Sequence, residues 1–176
     1  MTGYTDTMAT LAASTDQRVQ ALYASYERGE IDEATFVELA TAVLVQGESK
    51  AVSLSDLALA ATLTAYTAAV VTPVGLLPDR GAQPRAVEAI REALADPEPK
   101  VKLTINVRAV TLEAAQRNTG KAMKKQGVEK WTRKLNAGAC KVCTDLAGEE
   151  LPVTAEMWTH KGCACTQNPI TESEKS

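Results

Sequence analysis

Apolar residues recur at helical spacing through the first half of the chain. Val19, Leu22, Tyr23 and Tyr26 fall at i, i+3, i+4 and i+7 and predict a helix over about Thr15 to Arg28. Ser14 with Gln17 three residues on has the form of a capping box, and Gly29 is a natural stop. Asp32 is the expected N-cap of a second helix, with Glu33 in its first turn and Phe36, Leu39, Ala40, Val43 and Leu44 on one face. The short Glu30-Ile31 link makes the two an antiparallel αα-hairpin. Gly47 is expected to interrupt or bend the second helix. Past it a helical pattern resumes from Val52 to Val71, with Leu54, Leu57, Ala58, Ala61 and Ala65 available for close packing. At this spacing Tyr23 and Tyr26 read as core residues.

From Thr72 to Pro84, three prolines and two glycines forbid a continuous helix. Val87, Ile90 and Leu94 mark a short amphipathic helix, ended by Asp96-Pro97-Glu98-Pro99. The stretch 72–99 thus reads as a linker holding one short helix. A longer helix is expected over about Asn106 to Lys125 through Val107, Val110 and Ala114, stopping at Gln126-Gly127. The period then changes. Val128 to Leu135 alternates apolar and charged residues and predicts a strand, with Glu150 to Val153 and Thr159 to Thr166 as its partners. A ribbon this small has too little core to stand alone. The fold class expected is mainly α, with a small C-terminal α+β module. Its parts are a helical region 1–71, the linker 72–99, a basic helix with the module over 100–170, and a polar tail 171–176.

Composition sharpens the picture. Apolar residues make up 45% of the 176, yet only seven are aromatic, which favours helices packed through small side chains. The net charge of −3 hides an asymmetry: residues 100–141 hold 11 Lys or Arg against 2 Glu, and the rest of the chain is strongly acidic. Halves of opposite sign imply two partners, or one half docking on the other in a homo-oligomer. Arg117, Lys121 and Lys124 form a cationic helix stripe that Lys125, Lys130, Arg133 and Lys134 extend. Two readings stand for it: a solvated face favoured by the helix dipole, and sequence-independent contact with duplex phosphates. Leu57 to Pro78 carries no charge and is long enough to span a bilayer. Its Ala and Thr content, its terminal Pro and Gly, and the lack of basic flanks predict a buried or oligomer-facing helix and no membrane contact. The first 16 residues have no basic n-region or apolar core of a signal peptide.

The candidate chemistry lies in the last quarter. All four cysteines, Cys140, Cys143, Cys163 and Cys165, fall there with the only histidine, His160, and both tryptophans. A Cys-x-x-Cys turn can present two sulfurs to one ion, and a second ligand pair from a distant turn closes a tetrahedron. Gly138 and Gly162 would ease the two turns. Structural Zn²⁺ held by Cys140, Cys143, Cys163 and one of His160 or Cys165 is the preferred reading. Two disulfides and a redox-active Cys-x-x-Cys are the alternatives. Glu149, Glu150 and Glu156 read as solvated, and Trp158 as a lid on the small core. No Gly-rich phosphate loop or His-Glu-x-x-His is present, and the one His is better used as a ligand than as a base, so no enzymatic activity is expected.

The order Trp131, Cys140-x-x-Cys143, Leu146-x-Gly148, His160-x-x-Cys163-x-Cys165 resembles the C-terminal signature of the MuF-like minor head (head morphogenesis) proteins of tailed bacteriophages. Members commonly carry Pro after the His, where this chain has Lys161. The resemblance implies a virion protein located at the portal and capsid interior, with the portal and major capsid proteins as partners. Packaged double-stranded DNA would then be the target of the basic module. A zinc-ribbon regulator that binds nucleic acid is the competing expectation.

Overall fold

The computed structural model describes residues 3–171, so all of the polar tail beyond Thr171 lies outside the described residues. Four helices form the body: α1 (Tyr4–Glu27), α2 (Glu33–Thr67), α3 (Ala82–Leu94) and α4 (Pro99–Lys125). A three-stranded antiparallel sheet and a short helix follow: β1 (Lys130–Lys134), α5 (Lys141–Asp145), β2 (Leu151–Pro152) and β3 (Thr166–Ile170). The fold is mainly α with a small C-terminal sheet module, as the hydrophobic pattern indicates.

Helix α1 starts well before the expected Thr15. The Ser14 and Thr15 hydroxyls both donate to the Leu11 carbonyl at 2.9 Å, inside the helix, and cap nothing. Gly3 is the N-cap, its amide donating to Asp6, while Met8 and Ala12 carry the buried stripe back toward the N-terminus. Asp32 caps α2 as expected, accepting from the Thr35 amide at 2.8 Å. Gly47 neither breaks nor ends α2. A Cβ there would stand 2.8 Å from both Thr15 Cγ2 and Oγ1, so the glycine is where α1 and α2 cross closely. The helix ends at Ala68, which takes a left-handed φ of 53°, and the chain leaves as an extended strap.

The stretch 72–99 is no linker. Ala86, Ile90 and Ala93 are fully buried in one core with Val19, Phe36, Leu44, Leu103 and Val107. Small residues at i, i+3 and i+7 (Ala86, Ala89 and Ala93) let α3 lie close on its neighbours, a signal masked by the prolines around it. The strap is tied as well. Buried Asp56 accepts from the amides of Val74 (3.0 Å), Gly75 (2.7 Å) and Leu76 (3.4 Å). Helix α4 begins at Pro99, where the ring costs no hydrogen bond, and buries Leu103 ahead of the expected start at Asn106.

Helix α4 packs among α1, α2 and α3, so the basic helix belongs to the helical body and not to a separate module. Its charges meet the acidic half inside the chain: Arg108 reaches buried Asp16 at 2.9 Å, Lys102 reaches Glu92 at 3.0 Å, and Arg117 and Lys121 approach Glu48 and Asp79 at 4.0 Å. The opposite signs of the two halves therefore meet in part within one chain. Leu59, Ala60 and Leu63, in the stretch read as buried or oligomer-facing, are buried within the chain. No helix among the described residues is long and apolar enough to cross a membrane.

The sheet order is β2-β1-β3, with Trp131 opposite Leu151 on one side and Pro169 on the other. The strand expected over Thr159 to Thr166 is instead a loop, and pairing starts only at Thr166. Gly162, at φ 81°, turns the chain there. Trp131 is fully buried among Leu59, Leu63, Ala122 and Met123, and its indole N–H donates to the Pro152 carbonyl at 3.2 Å. The sheet and the helices thus share a core.

Candidate metal centre

Two turns bring the cysteines together. Gly138, at φ 80°, follows the end of β1 and sets Cys140 as the N-cap of α5, whose first turn carries Cys143. Gly162 lets the amide of Cys163 close on the His160 carbonyl at 3.0 Å. Side chains then converge. Cys140 Sγ lies 3.2 Å from His160 Nε2, and Cys143 Sγ lies 3.5 Å from Cys163 Sγ. Two triads result, Cys140/Cys143/His160 and Cys143/Cys163/Cys165, each with its ligand atoms within 4.8 Å of one another. Cys143 belongs to both. All four cysteines are free, and these Cys/His groups can hold a metal ion.

The surroundings divide the ligands. The His160 Nδ1 faces the Lys161 carbonyl at 3.2 Å, which favours a proton on that nitrogen and a lone pair on Nε2 toward Cys140. The Cys165 thiol instead donates to Asn136 Oδ1 at 3.1 Å. The Cys143 backbone amide, at the start of α5, lowers the Cys140 thiol from its ordinary value, aided by the Cys143 side chain and by His160. Burial pushes the thiols of Cys143 and Cys163 up. Two buried thiols that resist ionisation are groups that a bound cation would deprotonate.

The framework comes from residues that spacing alone does not mark. Buried Gln116 of α4 donates from Nε2 to the carbonyls of Cys163 (2.8 Å) and Cys165 (2.9 Å), clamping the second turn to the helical body. Lys161 reaches Glu92 of α3 at 3.6 Å and Asn106 of α4 at 3.3 Å. Arg133 is the clearest correction. It does not extend a surface patch: it is buried, with Nη1 3.6 Å from Cys143 Sγ and Nη2 donating to the Trp158 carbonyl at 2.6 Å. Its neighbours along β1 alternate faces, so the strand pattern itself contains this inward position. Gln116 had a signal too, as a polar residue within the buried row Leu112, Gln116, Thr119, Met123.

The remaining expected residues scatter. Trp158 is no lid: it is half exposed, its ring 6.2 Å from that of His160, and Trp131 does the packing. Glu149, Glu150 and Glu156 are exposed, with Glu150 paired to Lys130 at 3.0 Å. Lys124, Lys125 and Lys134 are exposed, while Arg117 pairs with Glu113 at 3.5 Å. The cationic stripe is thus reduced to a few solvent-facing lysines. Comparison of the chain with family models, with curated proteins and with solved structures gives no match.

Proposed function

We propose that the chain is a structural minor head protein of a tailed phage, acting without catalysis at the portal and inner capsid, its C-terminal loops pinned by Zn²⁺. The observation that carries this reading is the convergence of the residues that bear the resemblance. Cys140, Cys143, His160, Cys163 and Cys165 meet in one small unit, with Trp131 as the anchor of its sheet. Zn–S near 2.3 Å and Zn–N near 2.05 Å give tetrahedral edges of about 3.8 Å for S···S and about 3.6 Å for S···N. The 3.5 Å and 3.2 Å separations here are a few tenths shorter than those two edges. Cys140, Cys143, Cys163 and His160 are the ligands this reading assigns, since Cys165 is engaged with Asn136; Cys163, which shares a triad with Cys143 but not with Cys140 and His160, would have to close on them. Arg133 would then offset the negative charge of three thiolates on one dication. Lys124, Lys125, Lys130 and Lys134 are the residues left to meet packaged DNA through its phosphates.

A sequence-reading regulator is less well supported, because Arg133 is buried and Arg117 and Lys121 lie beside acidic groups. Removing α1 and α2 would take out the core, so the test uses the full chain. It is co-expressed with the portal and major capsid proteins of the same phage, and the assembled heads are sedimented. The expected result is a few copies per head with one zinc and four titratable thiols per chain. Heads that assemble normally and carry none of the chain would overturn the assignment, whatever the metal content.

A further inference from the structure

The two triads of the metal centre differ in kind. Cys140, Cys143 and His160 mix sulfur with nitrogen and lie partly at the surface, whereas Cys143, Cys163 and Cys165 offer sulfur alone and are all buried. Within the second triad the sulfurs lie inside 4.8 Å of one another, Cys143 and Cys163 at 3.5 Å. Among the described residues no carboxylate or imidazole joins it, and Cys140 stands outside it, turned to His160 at 3.2 Å. Cys165, only 1% exposed, is the member that the zinc reading leaves without a role. Met157 packs against the same three cysteines.

The donors select the ion. Zn²⁺ asks for a fourth ligand from thiolate, imidazole, carboxylate or water, and a buried triad of sulfurs supplies none of these. Cu(I) is a soft, filled-shell ion that accepts three-fold sulfur coordination, and thiolates with a thioether beside them are the donors that suit it. The cysteines and Met157 are that set. A monovalent ion leaves more negative charge on three thiolates than a dication would. Buried Arg133, with Nη1 3.6 Å from Cys143 Sγ, stands where it offsets part of that charge. We infer that Cys143, Cys163 and Cys165 form a second, all-sulfur site for Cu(I), distinct from the four residues assigned to Zn²⁺. Cys143 and Cys163 belong to both sets, so one ion excludes the other. Bound Cu(I) leaves Cys140 and His160 without a metal, freeing the surface turn while the second turn stays closed. The sulfur site is independent of the phage reading; only the competition between ions rests on the zinc reading.

The test titrates the reduced, metal-free full chain with Cu(I) under argon, in competition with bicinchoninate, a coloured chelator of that ion. One Cu(I) per chain is expected to leave the chelator, with sulfur-to-copper charge transfer appearing in the ultraviolet. Cys165→Ser, and Cys165→Ala without the hydroxyl, should each weaken Cu(I) by about tenfold or more, because even groups that only support a metal's ligands are worth about that much. His160→Ala should lose zinc and keep its Cu(I) affinity within about twofold of wild type. Far-ultraviolet dichroism of all three variants is expected to match wild type. In the zinc-loaded chain, each Cu(I) bound should release one Zn²⁺ to a zinc-sensitive dye. No Cu(I) retained against the chelator, undiminished affinity in both folded Cys165 variants, or an equal loss in His160→Ala would each overturn the proposal. Zinc retained beside bound Cu(I) would overturn it as well, because two ions cannot both hold the shared sulfurs as their own ligands. A chain that takes up no zinc but passes the Cu(I) arms would sink the zinc reading and support the sulfur site.

Discussion

Replacing Gly47 with Ala tests the close crossing of α1 and α2. In an exposed helix interior this change stabilises by about 1 kcal/mol, because alanine loses less backbone entropy. Here the new Cβ falls 2.8 Å from two atoms of Thr15, far inside the ordinary carbon contact of about 3.5–4.0 Å. Rotating Thr15 does not relieve it. Its two heavy branches both face Gly47, so turning the hydrogen toward one leaves the other in place, and the hydroxyl would lose its bond to the Leu11 carbonyl. Overpacking of this kind costs about 1–3 kcal/mol, so the single variant should be neutral to destabilised by about 2 kcal/mol. In a Thr15→Ala background both clashing atoms are gone, and Gly47→Ala should recover the full gain of about 1 kcal/mol. The coupling read from urea midpoints of the four proteins is therefore expected at about 1–3 kcal/mol. Additive effects, or a single variant stabilised by a full 1 kcal/mol, would show that the helices are farther apart than this.

Other expectations follow from buried polar groups. Glu48 is almost fully buried, and desolvation raises its pKa despite Arg85 at 3.2 Å. The folded state thus holds this proton more tightly than the unfolded chain, so its contribution to stability is greatest below the ordinary carboxylate value and falls as pH rises through the raised one. The stability of wild type minus that of Glu48→Gln should accordingly drop as pH rises above the ordinary carboxylate value, and a rise over that interval in urea titrations would contradict the argument. Asp56→Ala removes the acceptor of three strap amides; at about 1.5–3 kcal/mol for a bond to a charged group, a loss of about 3 kcal/mol is expected. Hydrogen exchange at residues 74–76 should quicken in that variant, and unchanged protection there would refute the strap's attachment. In the Co²⁺-loaded protein, Cys165→Ser should leave the visible spectrum of a Cys₃His site in place, whereas His160→Ala should change it; the reverse pattern would assign the fourth ligand to Cys165.

The parts of this fold that were legible in the sequence are those where one local rule suffices. Asp32 caps α2 because a carboxylate before an amphipathic run has little else to do, and β1 shows its period within eight residues. The cysteines and His160 declare themselves by chemistry and spacing. What was illegible depends on partners distant in sequence. Gly47 reads locally as a breaker and becomes a contact only when Thr15 is opposite it. The prolines around α3 read as a linker, yet Asp56 and the alanine stripe fasten that segment to the core. Arg133 reads as surface charge until Cys143 and the Trp158 carbonyl are brought to it.

The same long-range contacts bear on how much the metal holds. Taken alone, the ribbon is too small to fold without an ion, which would make zinc a condition of structure. Yet Trp131 is buried against α2 and α4, and removing such a side chain costs about 3–5 kcal/mol. Gln116 and Lys161 fasten the second cysteine turn to the helical body as well. The first turn has no such tie to the helical body among the described residues: Cys140 is half-buried ahead of a five-residue helix, Lys141 and Val142 are exposed, and only Cys143, beside Arg133 of β1, is buried. Chelation should therefore loosen residues 136–148 first and leave β1, β3 and the helices folded. Amide exchange before and after chelator is the measurement: faster exchange confined to that loop, with far-ultraviolet dichroism nearly unchanged, is expected. Cooperative loss of the helices on chelation would mean that the ion, and not the Trp131 core, holds the two parts of the chain together.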